Sequence, residues 1–228
     1  CIYLNISYMK KILVIAPHAD DEVLGCGGYL LHQRSLTLPN NQRANIKIVV
    51  GTIGGMDSRQ DYEKRLAEFN LVCHKLEAEG EMLFPKMDAM LDTVPSREII
   101  SSLDYQIDTF RPDEIFINYR STHQDHIKMY DCAMASIRLR EGYFPKMVAL
   151  YEYPFVTDGM DLIKGGKMYH DISDNITDKI RLFSLYETQV RKSPSPLNSN
   201  GIKALASIRG LECGVKYAEK FYIQRMMM

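Results

Sequence analysis

Two hydrophobic rhythms alternate along the chain. Ile12–Ala16, Ile46–Val50, Glu114–Asn118 and Met147–Tyr151 are compact apolar runs bounded by polar or turn-forming residues, and Met82–Phe84 is a weaker version of the same pattern. Runs of this length, rich in branched side chains, predict strands buried on both faces. Between them, apolar residues recur at steps of three and four. Tyr62, Leu66, Phe69, Cys73 and Leu76 form one stripe, and Ile99 or Ile100, Leu103, Ile107 and Phe110 form a second behind the start signal Pro95-Ser96. Ile127, Tyr130, Met134 and Ile137 form a third. Each stripe predicts a helix with one face on a sheet.

Strands alternating with helices imply parallel pairing through right-handed crossovers. The expected fold class is therefore α/β: a doubly wound, mostly parallel, Rossmann-like sheet with helices on both faces. After Tyr151 the rhythm loosens into a C-terminal elaboration. There Asp174 is placed to cap a helix through Ile176, Ile180 and Phe183, and Lys192–Gly201 reads as a surface loop. Residues 9–228 are expected to form a single domain. Residues 1–8 precede Met9-Lys10-Lys11, which has the look of a start, and are expected to be an upstream extension.

Composition narrows the class of function. The 228 residues are 46% hydrophobic and 25% charged with a formal net charge of −1, so no basic field exists to attract nucleic acid. No apolar run approaches the roughly 20 residues of a membrane span, and no secretory signal is visible. Five scattered cysteines form no C-x-x-C pair, which argues against a disulfide framework and fits a cytoplasmic protein. Neither nucleic acid nor a membrane span is indicated, and homo-oligomerisation is left open.

The candidate chemistry lies in two short segments, each placed where a predicted strand ends. Ala16-Pro17-His18-Ala19-Asp20-Asp21-Glu22 follows the first strand; Tyr119-Arg120-Ser121-Thr122-His123-Gln124-Asp125-His126 follows Glu114–Asn118. Carboxyl ends of parallel strands are where α/β sheets bind ligands. Histidine and consecutive acids at one such place are costly unless a cation offsets them, and imidazole and carboxylate are the usual ligands of zinc and similar ions. The first segment alone is equally well read as a solvated loop whose acids cap the next helix. Two equivalent loops that both carry His and Asp make a shared ion the stronger reading. Gly25-Cys26-Gly27-Gly28 lacks the third glycine of a dinucleotide loop, and acids precede it; its small residues are expected to let the first helix approach the sheet.

Pro17–Glu22 matches the [AP]-H-x-D-D-E motif of the PIG-L/LmbE-like N-acetylglucosaminyl deacetylases, and His123–His126 matches their later H-x-D-H. Arg65-x-x-Glu68, Arg111-Pro112-Asp113, the Asp171-Ile172-Ser173 stretch and Tyr217–Phe221 resemble further family segments in order, so the resemblance runs from about Lys10 to Phe221. Ala19 and Gln124 stand where the family usually has proline. Gly51-Thr52-Ile53-Gly54-Gly55 lacks an acid that many members carry. The resemblance implies a metal-dependent deacetylase of N-acetylated amino-sugar conjugates, using Zn2+ or Fe2+. It assigns the metal ligands to His18, Asp21 and His126, the general base to Asp20, transition-state stabilisation to His123, and the orientation of a histidine to Asp125. Arg65, Tyr119 and Arg120 are candidate substrate contacts. Two other readings stand beside this one: a catalytically silent glycan-binding relative, and an Fe(II) oxygenase, which normally sits in a β-barrel.

Overall fold

The computed structural model describes residues 9–36, 43–53, 59–139, 141–154 and 166–227. The expected extension, residues 1–8, lies outside these, as do Gly54 and Gly55. In chain order the elements are β1 (Lys11–His18), α1 (Asp21–Ser35), β2 (Asn45–Thr52), α2 (Arg59–Leu76), β3 (Glu79–Met82), α3 (Ser96–Phe110), β4 (Glu114–Asn118), α4 (Gln124–Ser136) and β5 (Met147–Tyr151). β6 (Gly166–Asp171), α5 (Ile176–Ser184), α6 (Ser199–Cys213) and β7 (Ala218–Met226) complete the set. One mixed sheet runs β3-β2-β1-β4-β5-β7-β6. The first five strands in that order pair parallel, whereas β7 runs antiparallel to both β5 and β6. α1 packs with α2 and α5, and α3 with α4, which is the doubly wound arrangement the alternation predicts.

The core follows the apolar runs. Ile12 to Ala16 are fully buried, as are Ile115, Phe116, Ile117, Val148 and Ala149. The small residues of α1 serve close packing: a Cβ on Gly25 would stand 2.1 Å from the Tyr151 ring, and one on Gly28 would stand 2.5 Å from Ile172. Three boundaries differ from expectation. Asn175 rather than Asp174 holds the N-cap position of α5, and no side chain there makes a capping bond. The third strand is Glu79–Met82 rather than Met82–Phe84, because pairing with Lys47–Val50 defines it although Glu79 and Glu81 are exposed. Helix α6 begins at Ser199, inside the expected loop, because the Asn198 side chain caps it by accepting from the amides of Asn200 and Gly201.

Strand order reverses between β1 and β4: the chain winds outward through β2 and β3 from one and through β5 from the other. The crevice beyond the carboxyl ends of these neighbours is the topological switch point, where doubly wound sheets hold ligands. His18 is the last residue of β1, and the segment after β4 carries His123 and His126. Two loops separated by about a hundred residues thus meet because their strands are adjacent.

Candidate metal centre

Three side-chain atoms converge at this crevice. His18 Nδ1 lies 3.2 Å from His126 Nε2 and 3.4 Å from Asp21 Oδ2, and His126 Nε2 lies 3.3 Å from the same oxygen. A tetrahedral site with bonds of about 2.05 Å has ligand–ligand edges of about 3.35 Å. The observed triangle therefore fits three corners of such a site and leaves the fourth open. Its donor chemistry also fits: an imidazole nitrogen facing another imidazole nitrogen is satisfied only by a proton or a cation between them.

Neighbouring groups fix each of the three candidate ligands. Asp21 Oδ2 accepts the His18 amide at 3.1 Å, tying the carboxylate to the end of β1. Asn118 at the end of β4 donates its side-chain amide to the His126 carbonyl at 3.0 Å, and the His126 ring rests on Tyr153 with centroids 4.7 Å apart. His126 Nδ1 is buried and has no hydrogen-bond partner among the described residues. Asp125 is fully buried and takes three donors: the amide of Leu91 at 2.9 Å, that of Ala89 at 2.7 Å, and His18 Nε2 at 3.0 Å. The histidine that Asp125 holds is therefore His18, a partner the sequence left unspecified. With one proton on Nε2 committed to Asp125, Nδ1 is the His18 atom left to face the shared centre, the ring orientation that a carboxylate–histidine–metal arrangement requires.

The electrostatics express the crowding. Burial alone would depress the His18 imidazole, but its bonds to Asp125 and Asp21 outweigh this and push it up to about 10. Burial lowers His126 to about 4, with the nearby His18 and His123 acting in the same direction against Asp21. Without an ion the centre thus keeps its proton on His18. Burial raises the Asp20 carboxyl well above the usual range, and the Asp21 charge adds to it.

A cavity of about 540 Å³ opens on this centre, lined by His18, Asp20, Asp21, His123 and His126 among others. Asp20 occupies the N-cap position of α1, yet its side chain makes no capping hydrogen bond. The capping role that an acid here would ordinarily play is absent. Its backbone sits at φ 147°, ψ −30°, far from where a residue with a Cβ rests and costing roughly 1–3 kcal/mol. His123 caps α4 instead: its Nδ1 accepts the Asp125 amide at 3.2 Å, so the neutral ring carries its proton on Nε2.

The three candidate substrate contacts separate. Arg65 lines the cavity but is spent on structure, donating to the carbonyls of Ile53 and Ala19 and to the Thr188 hydroxyl. Arg120 pairs with Asp131 at 3.2 Å on the surface, and Tyr119 is buried beside Tyr222; neither lines the cavity. Asp88, Tyr153, Gln189 and Arg191 do line it, and sequence reasoning missed them. Asp88 Oδ1 stands 3.6 Å from His18 Nε2. None of these four belongs to a motif or a periodic stripe; loops alone bring them here.

Solved structures share this architecture along nearly the whole chain. A conserved protein from Thermus thermophilus matches with a TM-score of 0.75 at 25% identity, covering 96% of this chain and 97% of that one. The N,N'-diacetylchitobiose deacetylase of Pyrococcus horikoshii matches at 0.74 and 22%, covering 94% and 84%. A 4-carboxy-2-hydroxymuconate hydratase from Pseudomonas putida matches at 0.71 and 17%, covering 96% and 98%. One fold thus carries a deacetylase and a hydratase, so the reaction must be argued from the residues in the crevice. Residues 13–137, more than half of the chain and including both histidine–aspartate loops, match the family model described as PIG-L, GlcNAc-PI de-N-acetylase, and the chain belongs to that family.

Proposed function

We propose that the protein is a metal-dependent amide hydrolase that removes the acetyl group from an N-acetylglucosamine-type sugar conjugate. The observation that carries this reading is the His18–Asp21–His126 triangle at ligand spacing, with a carboxylate that is neither ligand nor helix cap opening on the same cavity. His18 through Nδ1, Asp21 through Oδ2 and His126 through Nε2 would hold the ion. When bound, a divalent ion such as Zn2+ or Fe2+ supplies Lewis acidity, which lowers the pKa of water from 15.7 towards about 7 and polarises a carbonyl.

The chain's own residues do the rest. Asp20 takes the proton of the attacking water, then returns it to the departing amine nitrogen, so that one carboxylate serves both halves of the reaction. Burial helps the second half, since it favours the protonated carboxyl that must act as acid. His123 donates its Nε2 proton to the carbonyl oxygen as negative charge grows there. Asp125 acts through His18, keeping the ring in the tautomer whose Nδ1 is free to bind. Gln189 and Arg191, facing the cavity from the segment after α5, replace Tyr119 and Arg120 as the groups placed to meet the remainder of the sugar conjugate.

The oxygenase reading loses its support, because the ligands sit on a doubly wound sheet rather than in a barrel. A silent binding relative would have no use for a strained, uncapping carboxylate beside the ligands. Among the described residues no helix is long and apolar enough to cross a membrane, and Cys26, Cys73 and Cys132 are buried free thiols, which fits the cytoplasmic setting we propose. The test is acetate release from a panel of N-acetyl amino-sugar conjugates by metal-loaded protein, with Asp20→Asn as control. Release by the wild-type protein and its loss in the variant support the assignment. A wild-type protein that binds these conjugates without releasing acetate identifies a binding relative instead.

A further inference from the structure

Asp20 differs from every other described non-glycine residue with positive φ. Glu77, Ala89 and Arg111 sit at φ 48° to 54°, the ordinary left-handed turn region, whereas Asp20 sits at 147°. A strained residue persists only where its surroundings over-determine it. Here both flanking peptide groups are held. On one side the Ala19 carbonyl accepts from Arg65 Nη2 at 3.2 Å, and the Asp20 amide donates to Glu22 Oε2 at 2.9 Å. On the other side the Asp20 carbonyl accepts the amides of Val23 and Leu24 at 3.1 and 3.0 Å.

Glu22 itself is fully buried and does not line the cavity. Its second oxygen accepts the Tyr186 hydroxyl at 2.5 Å, and Tyr186 is 1% exposed. This tyrosine lies just past α5, outside the segment matched by the family model, and its main chain is fixed by bonds to Phe183 and Gln189. Tyr186, Glu22 and the Asp20 amide therefore form a buried relay from the C-terminal elaboration to the residue cast as base. Released from it, Asp20 would be free to adopt the backbone of an ordinary N-cap, with its carboxylate turned onto the first amides of α1.

We infer that Tyr186 and Glu22 are positioning residues: their hydrogen bonds, together with that of Arg65 to Ala19, hold Asp20 out of the helix-capping conformation and keep its carboxylate in the cavity. The inference rests on the proposed role of Asp20 as base. It also explains what the C-terminal elaboration contributes to the centre without adding a ligand.

Tyr186→Phe removes only the hydroxyl, and Glu22→Gln keeps an oxygen for the Asp20 amide whereas Glu22→Ala does not. With an N-acetyl sugar that the wild type turns over, Tyr186→Phe should lower kcat by between about tenfold and a hundredfold, the usual cost of slight misplacement of a catalytic group. KM and bound-metal stoichiometry should stay within about twofold, and Glu22→Gln should recover part of what Glu22→Ala loses. The deciding arm is the Asp20→Asn background, where Tyr186→Phe should cost less than about twofold more, because a residue acting through Asp20 has nothing left to position. An equal further loss in that background overturns the inference while leaving the deacetylase reading intact. If the wild type turns over no N-acetyl sugar, that reading fails, and the relay is decided by crystal structures of Tyr186→Phe and Glu22→Ala. A negative φ at Asp20 with its carboxylate on an α1 amide supports the relay; an unchanged Asp20 sinks it.

Discussion

Asp125→Asn probes the centre without touching a proposed ligand. The buried carboxylate of Asp125 receives three donors, two backbone amides on one oxygen each and the His18 ring on the oxygen it shares with Ala89. An asparagine offers one acceptor oxygen and one NH2 in the same space. If its oxygen faces Ala89 and His18, its NH2 confronts the Leu91 amide; if it is flipped, both Ala89 and His18 lose their acceptor. The first orientation sacrifices fewer bonds and leaves one buried backbone N–H unsatisfied, which costs about 1–3 kcal/mol. It also replaces a charged partner of His18 by a neutral one, and outer-shell changes of this kind weaken metal binding by about 10–100-fold. Urea denaturation of the metal-free variant should show the loss of stability, and competition with a chromophoric chelator should show the loss of affinity. A correctly folded variant with wild-type metal affinity would refute the claim that Asp125 sets the His18 tautomer.

Three further outcomes follow from the same geometry. Because His18 is pushed up to about 10 in the ion-free centre, metal uptake at pH 7 should release at least one proton, and apparent affinity should rise with pH until the ring titrates; calorimetry in buffers of different ionisation enthalpy counts the protons, and none released would contradict the placement of Nδ1. The acidic limb of kcat/KM should belong to Asp20, since a base must be ionised: activity rises with pH through its elevated pKa, and in Asp20→Asn residual activity should lose that limb, to be read from a pH–rate profile. Gly25→Ala would drive a Cβ to 2.1 Å from the Tyr151 ring, so thermal unfolding should show a loss of about 1–3 kcal/mol; a neutral result would mean that α1 moves off the sheet freely.

Much of this was legible in the sequence, for identifiable reasons. Strands β1, β2, β4 and β5 declare themselves because burial on both faces demands unbroken apolar runs, and α3 and α4 because one buried face imposes a period. β3 reads poorly because four residues at a sheet edge, two of them exposed glutamates, owe their conformation to pairing with β2. β6 and β7 read poorly because Lys167 lies exposed on a sheet edge while Glu219 is buried through partners distant in sequence, Lys179 and the amides of Gly28 and Tyr29. His18, Asp21 and His126 were singled out because strand ends mark the ligand edge, and the structure brings their side chains together there. The partner of Asp125, the relay to Tyr186 and the spent state of Arg65 were not legible, since each includes a contact across 46 to 164 residues that no local pattern encodes.

The most direct test is crystallography of metal-loaded protein with anomalous scattering at the metal edge. The account predicts a single strong peak about 2.0–2.2 Å from His18 Nδ1, Asp21 Oδ2 and His126 Nε2, with a fourth position facing the cavity. A peak bound elsewhere, or no peak at these three atoms under saturating metal, contradicts it.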